Sequence, residues 1–335
     1  MTHDIHDTGD TRAGLPRIIG GLLILLPSCA WAQDRFEAFP AKSVRLIVPY
    51  AAGGPNDIVA RVLGQKLSER WKQQVIIDNR GGANGVIGAE LAAKAPADGY
   101  TLFLGNAGVM ASNPALYSKL PYHAEKDFAA VSLMVQAPLL LVTHPSFAIK
   151  TVADLVNQAK SRPGQLTFGS GGTGGVAHIA GELLNYLTGI KTVHIAYKGA
   201  APAMTDLLGG QVAFTFTGPL AALPNIKAGK LTGVAVTTKK RAVALPDIPT
   251  VAETVPNYEV RAWYGIVVPA RTPTPIIDKI NRDIASAIQM PDVVQRFTSD
   301  GGEIASGTPA SFAKLIREEI AMWTQVARQA HLSLD

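Results

Sequence analysis

Two glycine-rich loops carry the residue pattern with the clearest chemical consequence in this sequence. Each follows a predicted strand and opens directly onto a predicted helix, in VRLIVPYAAGGPNDIVAR (Val44–Arg61) and in QLTFGSGGTGGVAHIAGELL (Gln165–Leu184). The first turn of a helix has unsatisfied N–H groups and about half a positive charge, which attract anions. Glycines just before that turn let a ligand approach the backbone, because no Cβ stands in the way. The pattern therefore predicts two anion-binding loops, far apart in the chain.

The polar residues of these loops have alternative roles. Asp57 follows Gly53-Gly54 by three residues, where its carboxylate could either support the start of the helix or contact a ligand. In the second loop, five of the seven residues from Gly169 to Gly175 are glycine, and Ser170 and Thr173 add hydroxyl groups. Phosphate, sulfate or a nucleotide would suit such loops as well as a carboxylate would. The loops alone therefore do not define the anion.

Sequence motifs of enzymes are weak or missing. Gly169–Gly174 satisfies G-x-G-x-x-G, but no acidic residue ends a strand about 20 residues later, as a dinucleotide fold requires. An exported enzyme that binds a cofactor phosphate at residues 169–175 remains the alternative. The sequence contains no G-x-S-x-G, H-E-x-x-H or C-x-x-C, and the histidines after residue 32 lack metal-type spacing: His123, His144, His178, His194 and His331. We expect no catalytic residues, no metal and no cofactor.

Three further residues invite a structural interpretation. His178 lies on the helix face away from the apolar stripe and four residues before Glu182, which predicts a solvated ion pair, with a position on the rim of the binding pocket as the alternative. Trp263 and Tyr264 precede a predicted strand. They are expected to pack in the core or near a hinge, with a position on the wall of a binding cleft as the alternative.

The N-terminal segment has the pattern of a secretory signal peptide. A nine-residue apolar run, Ile18–Leu26, follows two arginines, and Ala30-Trp31-Ala32 predicts cleavage after Ala32. Cleavage would remove Cys29, the only cysteine, unless Cys29 is instead acylated as in a lipoprotein. Because residues 1–32 carry two arginines against three aspartates, the net charge would rise from +5 to +6. The basic residues form no stripe interleaved with aromatics, which argues against nucleic-acid binding. We expect a periplasmic protein that attracts anions.

The elements that must position the loops alternate between strands and helices, which predicts an α/β fold with largely parallel sheets. The strands are predicted at 44–48, 74–77, 101–104, 139–143, 166–168, 192–196, 213–217, 233–237 and 265–268. The helices are predicted at 56–71, 85–94, 152–160, 176–187, 202–208, 275–289 and 309–330. A long excursion that leaves at residues 136–138 and returns near 256–258 predicts two hinged lobes. Residues 33–138 and 257–335 would form the first lobe and residues 139–256 the second.

At these loops the sequence resembles the Bug family, also called the TctC family, of periplasmic solute-binding proteins for tripartite tricarboxylate transporters. The resemblance extends over nearly the whole chain after residue 32. It rests on segments such as FPAKSVRLIVPYAAGGPNDIVAR, VIIDNRGGANGVIGAELAAKAPADGYTLFLG, LPYHAEKDFAAVSLM, GSGGTGGVAH, YKGAAPAMTDLLGGQV and LPDIPTVAETVPNYEVRAWYGIVVPARTP.

The resemblance implies a Venus-flytrap fold of the type-two periplasmic binding class, with each lobe a mainly parallel sheet flanked by helices. It implies a monomer without catalytic activity that captures a small carboxylated molecule and delivers it to membrane transporter subunits, or presents it to a sensor kinase. The carboxylate is held in this family mainly by loop backbone and hydroxyl groups. Carried over, binding falls to ten residues: Tyr50, Ala52, Gly53, Asp57, Asn106, Ser170, Gly172, Thr173, Gly174 and Thr217.

The sequence departs from the family pattern in ways that bear on the ligand. Gly175 stands where the family often has serine, and Ala213 stands where aspartate is common. Thr217-Gly218 ends a strand where some amino-acid binders carry an acidic residue for the ammonium group. These departures weaken the case for an amino acid.

Overall fold

The structure is a computed structural model that describes residues 39–197, 199–242, 245–299 and 301–330. The predicted signal peptide and the alternative acylation of Cys29 lie outside these residues. Among the described residues, no helix combines the length and apolar character needed to cross a bilayer.

The first lobe is built on a six-stranded sheet in the order β11-β4-β10-β3-β1-β2. Its strands are β1 (Val44–Val48), β2 (Val75–Asn79), β3 (Thr101–Asn106), β4 (Phe128–Pro138), β10 (Arg261–Pro269) and β11 (Glu303–Ile304). Strand β1 runs parallel to β2 and β3, whereas β10 runs antiparallel to β3 and β4. The sheet is therefore mixed.

The second lobe is built on a five-stranded sheet in the order β7-β6-β8-β5-β9. Its strands are β5 (Leu140–Thr143), β6 (Thr167–Ser170), β7 (Val193–Ala196), β8 (Phe214–Thr217) and β9 (Thr232–Val236). Strand β6 is parallel to β7 and β8, whereas β5 is antiparallel to β8 and β9. The two lobes were predicted correctly, but the mainly parallel sheets were wrong. Fully buried strands are apolar runs whatever their direction, so the sequence pattern does not reveal orientation.

Helices flank both sheets. They are α1 (Pro55–Trp71), α2 (Val86–Ala93), α3 (Asn113–Leu116), α4 (Val152–Ser161), α5 (Val176–Thr188), α6 (Ala200–Leu208), α7 (Pro219–Lys227), α8 (Thr274–Ile288), α9 (Pro291–Thr298) and α10 (Pro309–Ala330). Short helical turns lie at 83–85, 145–147 and 251–253, and a π-helical segment, Gly108–Ser112, runs into α3. Sequence analysis missed α3, α7 and α9. Helix α7 carries Pro224 in its interior, which removes a helical hydrogen bond and hides the helix from propensity rules.

The two lobes share one hydrophobic core near the linking segments. Phe103 of the first sheet, Phe168 and Phe214 of the second, and Trp263 of β10 belong to the same buried cluster. Tyr258, on the returning linker, is fully buried and its hydroxyl donates to the carbonyl oxygen of Ala180 in α5 at 3.0 Å. Burying an aromatic side chain contributes roughly 1.5–3 kcal/mol, more than the roughly 0.5–1.5 kcal/mol of one hydrogen bond. Packing is therefore the main force that fixes this linker against α5.

Candidate functional site

A cavity of about 750 Å³ lies where the carboxyl ends of strands from both sheets meet. The first lobe contributes residues that follow β1 and β3, including Tyr50 and Asn106, and the second contributes residues that follow β6 and β8, including Gly172 and Thr217. The ends of β4 and β10, which lead into and out of the second lobe, line the cavity as well. This volume is within the range of small-molecule pockets, roughly 300–1,000 Å³.

Four helices begin at this cavity with a glycine in the N-cap position. The N-caps are Gly54 of α1, Gly175 of α5, Gly199 of α6 and Gly218 of α7, and none of these ends has a side-chain cap. Residues of each first turn line the cavity. Their backbone N–H groups and helix dipoles are therefore directed toward one space, which favours a negatively charged ligand there. The α7 start was missed from sequence, although Gly218-Pro219 after a strand is the same signal as Gly54-Pro55.

The part of the cavity wall near the ends of β1 and β3 is polar but uncharged. The Asn106 amide donates to Asn56 Oδ1 at 2.7 Å, and its own oxygen accepts from the Val109 N–H at 3.0 Å. The Tyr50 hydroxyl donates to Asn84 Oδ1 at 3.3 Å. Burial raises the pKa of Tyr50 to about 12, so the phenol is neutral and can donate a hydrogen bond at neutral pH. Asn56 and Asn84 were not predicted, since isolated asparagines carry no motif.

The rest of the wall is largely apolar. Aliphatic and aromatic side chains from both lobes form it: Ile58, Val59, Val135, Leu139, Val176, Phe216, Trp263 and Phe297. Trp263 is both buried and on the cavity wall, so both interpretations made from sequence describe it. Among the described lining residues, Arg296 of α9 is the single charged side chain, and no carboxylate side chain lines the cavity. The cavity suits an anion with an apolar body.

Each glycine loop is fastened by the third residue of the helix that follows it. In the first loop, the Gly53 N–H donates to Asp57 Oδ2 at 2.9 Å, and the same oxygen accepts from Arg61 at 2.8 Å. In the second, the Gly174 N–H donates to His178 Nδ1 at 3.0 Å. Gly53 and Gly174 both have positive φ, +88° and +80°, which favours glycine. The two loops are built alike, with a carboxylate in one and an imidazole in the other.

The interpretation of His178 as part of a solvated pair was wrong. The side chain is buried at 4% exposure, and its ring stacks on His194 of β7 with centroids 3.9 Å apart. Glu182, 3.7 Å from Nε2, is also largely buried. Helix α5 packs against strands on one side and α10 on another, so it is buried beyond its apolar stripe. A single stripe in the sequence does not reveal a second contact face.

Both histidines have lowered pKa values because their rings are buried. Burial and, to a smaller extent, the neighbouring His194 together lower the pKa of His178 to about 3, while burial lowers that of His194 to about 4. His194 Nε2 shares a hydrogen bond of 2.6 Å with Ser170 Oγ, which also bonds to the backbone of Gly172. For Asp57, burial raises the pKa, but hydrogen bonds from Arg61 and Gly53 outweigh it and the pKa lies below its usual value. At neutral pH one loop is thus fastened by an ionised side chain and the other by a neutral one.

The ten residues proposed from sequence separate into two groups. Tyr50, Asn106, Gly172 and Thr217 line the cavity. The other six do not line it: Ala52 and Thr173 are exposed, Gly53 and Gly174 have their N–H groups bonded to side chains, and Asp57 and Ser170 are buried behind the loops. Within the described part of the chain, no three His, Cys, Asp or Glu side chains gather as metal ligands would.

The chain is similar to known proteins along most of its length. The model of the tripartite tricarboxylate transporter family receptor matches residues 59–332. Protein BugT of Bordetella pertussis is 36% identical over 300 residues, covering 89% of this chain and 92% of BugT. A solved R. palustris protein with adipate has a TM-score of 0.79 at 36% identity, covering 88% of this chain and 99% of that one. MatC of Rhodopseudomonas palustris with bound malate has a TM-score of 0.76 at 32% identity, covering 86% and 99%. The chain belongs to the tripartite tricarboxylate transporter receptor family.

Proposed function

We propose that this receptor captures a small organic acid, most favourably a dicarboxylate with an apolar spacer, between its two lobes. One observation carries the proposal: four helix N-termini without side-chain caps face one cavity that no described carboxylate side chain lines. The adipate and malate of the solved relatives are dicarboxylates of this class.

The energetics of such a clamp are adequate for transport. A hydrogen bond to a charged group contributes about 1.5–3 kcal/mol, and micromolar affinity corresponds to about 8 kcal/mol. A carboxylate that accepts from N–H groups of two helix starts, with its body on the apolar wall, reaches this range even after the cost of association. Of the two glycine loops, the one at the start of α5 is the more favourable for an anion, because neutral His178 adds no negative charge there while Asp57 lies beside the α1 start.

The charge of the cavity wall also distinguishes between ligand classes. A buried ammonium group needs a carboxylate partner, and none of the described lining residues is Asp or Glu. Arg296 adds a positive charge to the wall, which makes the field in the cavity more favourable for an anion than for a cation. We therefore favour a dicarboxylate over an amino acid or an amine.

The wider role follows from the same site. We infer a periplasmic, monomeric receptor that is exported by the N-terminal segment, has no catalytic activity and hands its ligand to the membrane subunits of a tripartite transporter. Presentation of the ligand to a sensor kinase is a second use of the same closed form. Of the ten residues predicted to bind the ligand, we propose that Tyr50, Asn106, Gly172 and Thr217 contact it. The other six support the loops. Hinges are placed at residues 138–139 and 256–260.

A screen of carboxylates tests the proposal. Mono- and dicarboxylates of increasing length, including malate and adipate, are ranked by the shift of the unfolding midpoint and then by calorimetry, with and without chelator. We expect at least one dicarboxylate to bind, to be unaffected by chelator and to be recovered chemically unchanged. Matched diols and diamines should not bind. Binding of the diamine alone, or turnover of the bound acid, would instead support a different class, such as the exported enzyme.

A further inference from the structure

The second glycine loop has a fastening that the first lacks. The Gly174 N–H donates to His178 Nδ1 at 3.0 Å, while the Gly174 carbonyl lies 3.1 Å from Ser112 Oγ of the first lobe. The single proton of this hydroxyl is shared with the Gly108 carbonyl, which is also 3.1 Å away. Ser112 is fully buried at the end of the π-helical segment Gly108–Ser112, whose first residue lines the cavity. The N–H and carbonyl groups of Gly174 are therefore contacted by side chains of both lobes, a histidine of its own lobe and a serine of the other.

The hydrogen bond fixes the protonation of the histidine. Nδ1 accepts the Gly174 N–H, so this nitrogen must carry no proton, and the neutral ring has its proton on Nε2. A protonated Nδ1 would place two N–H groups against each other. Burial and the stacked ring of His194 both disfavour the charged form.

The surroundings offer little to stabilise a charge on His178. His194 of β7 stacks on it, and Glu182 of its own helix lies 3.7 Å from Nε2. Burial raises the pKa of Glu182, which weakens it as a countercharge. Strand β6 presents Phe168, stacked at 6.4 Å, the linker presents neutral Tyr258 to the same helix, and α10 contributes apolar core side chains such as Ile316.

We infer that His178 is a positioning residue: in its neutral form it holds Gly174 so that the second glycine loop faces the ligand and docks on Ser112, and acid releases the loop. The inference rests on the proposed capture of a carboxylate at the start of α5. His178 does not touch the ligand, and its effect is transmitted through the Gly174 peptide.

The direction of the pH effect follows from the depressed pKa values. In the folded protein the pKa of His178 is about 3 and that of His194 is about 4, both below the usual 6.5. The closed loop therefore favours the neutral form of the histidines. The resulting stabilisation of the closed loop is complete above pH 6.5 and is lost as the pH falls toward the pKa values of the folded protein. For one histidine, the ratio of closed to open loop falls by up to about tenfold for each pH unit.

Four proteins separate positioning from simple packing: the wild type, His178→Asn, His178→Leu and the control His144→Asn. Asparagine Oδ1 replaces Nδ1 as an acceptor and does not titrate, whereas leucine fills space without an acceptor. His144 is partly exposed and bonds only to Ser146 among the contacts of its ring, far along the chain from the loop. Amide exchange of Gly174, expressed as protection relative to an unstructured peptide, is followed by NMR without ligand from about pH 4 to about pH 8.

We expect equal protection of Gly174 at neutral pH in the wild type, His178→Asn and His144→Asn, and protection lower by about tenfold or more in His178→Leu. On acidification, protection in the wild type and His144→Asn should fall below pH 6.5, and His178→Asn should fall less steeply. The inference is overturned if His178→Leu protects Gly174 as the wild type does, or if wild type and His178→Asn have the same slope. Calorimetry with malate and adipate on the same proteins distinguishes failure of the loop mechanism from failure of the proposed function. If Gly174 exchanges as expected but neither acid binds, the proposed function is wrong and the role of His178 in positioning the loop is still supported.

Discussion

The two glycine loops are fastened by different side chains, a carboxylate in the first and an imidazole in the second, and that difference separates a permanent fastening from a titratable one. Asp57 holds the Gly53 N–H with a carboxylate that also pairs with Arg61, and its pKa lies below the usual 3.8. His178 holds the Gly174 N–H with a neutral ring whose pKa burial lowers to about 3. The same backbone geometry is thus insensitive to pH in one lobe and sensitive to acid in the other. Equivalent loops in a two-lobed receptor need not respond equally to their surroundings.

The largest effect is expected from valine at Gly174, compared with valine at Gly53. Gly174→Val forces a branched side chain into φ +80° in a loop that is bonded on both sides, so we expect ligand affinity to fall by more than about a hundredfold. Gly53→Val, at φ +88° with open space around an added Cβ, should cost about tenfold or less. Calorimetry with the best acid of the screen, alongside unfolding midpoints, checks the order. Equal losses at both positions would remove the distinction between the loops.

Next in size is the loss of the carboxylate fastening. Asp57→Ala leaves the Gly53 N–H without its acceptor and Arg61 without its partner, and we expect a loss of roughly 1–3 kcal/mol in the free energy of unfolding. Asp57→Asn keeps one acceptor and should lose less. Denaturant unfolding measures both. Because a lowered carboxyl pKa contributes stability that is lost only as the pH falls below the usual 3.8, the difference from wild type should be constant above that pH.

A pH-dependent difference for Asp57→Asn at near-neutral pH would contradict the permanent character of the first fastening. Exchange of the Gly174 amide gives the internal control, because it should be unchanged in this variant.

A smaller effect is expected where the second loop meets the first lobe. Ser112→Ala removes the donor to the Gly174 carbonyl, a bond worth about 0.5–1.5 kcal/mol, and should weaken ligand binding by roughly threefold to tenfold. The pH profile should keep its shape, because the His178 bond remains. Ser161→Ala, at the exposed end of α4, is the matched control. Unchanged affinity in Ser112→Ala would show that the contact between the lobes does not contribute to capture.

The smallest effect concerns a carboxyl group outside both loops. Glu319 accepts from Trp263 Nε1 at 2.8 Å, and burial raises its pKa to about 7. A raised carboxyl pKa means that the folded protein favours the neutral acid, so stability declines as the pH rises from 4.5 toward 7. Glu319→Gln should remove this decline and raise the unfolding midpoint at about pH 8 by a few degrees. If the unfolding midpoints of wild type and Glu319→Gln are the same at every pH, Glu319 does not contribute to the pH dependence of stability and this prediction is wrong.

Sequence patterns predicted the lobes and the glycine loops, but not the strand directions or the side-chain contacts behind the loops. Glycine loops before helices are local signals, and both begin their helices at the cavity as expected. Strand direction is not local, and the antiparallel β5 and β10 follow from how the chain crosses between sheets. The roles of Ser170 and His178 were also out of reach, because which way a side chain points depends on packing partners such as His194 that are distant in sequence. The start of α7, by contrast, is predictable from sequence, because Gly218-Pro219 follows a strand as Gly54-Pro55 does.

Charge at the start of α7 tests most directly whether helix N-termini hold the anion. Gly218 has φ −65° and ψ 150°, and an added Cβ would contact nothing within 4 Å, so both Gly218→Asp and Gly218→Asn should fold and cap the helix. The two variants differ essentially in one negative charge beside the cavity. Like charges about 4 Å apart repel by several kcal/mol near a protein surface, less in salt. Calorimetry with the best dicarboxylate of the screen should find Gly218→Asp weaker than Gly218→Asn by about tenfold or more, narrowing as salt is added. Equal affinity of the two variants, at low salt and with both folded, would contradict the account.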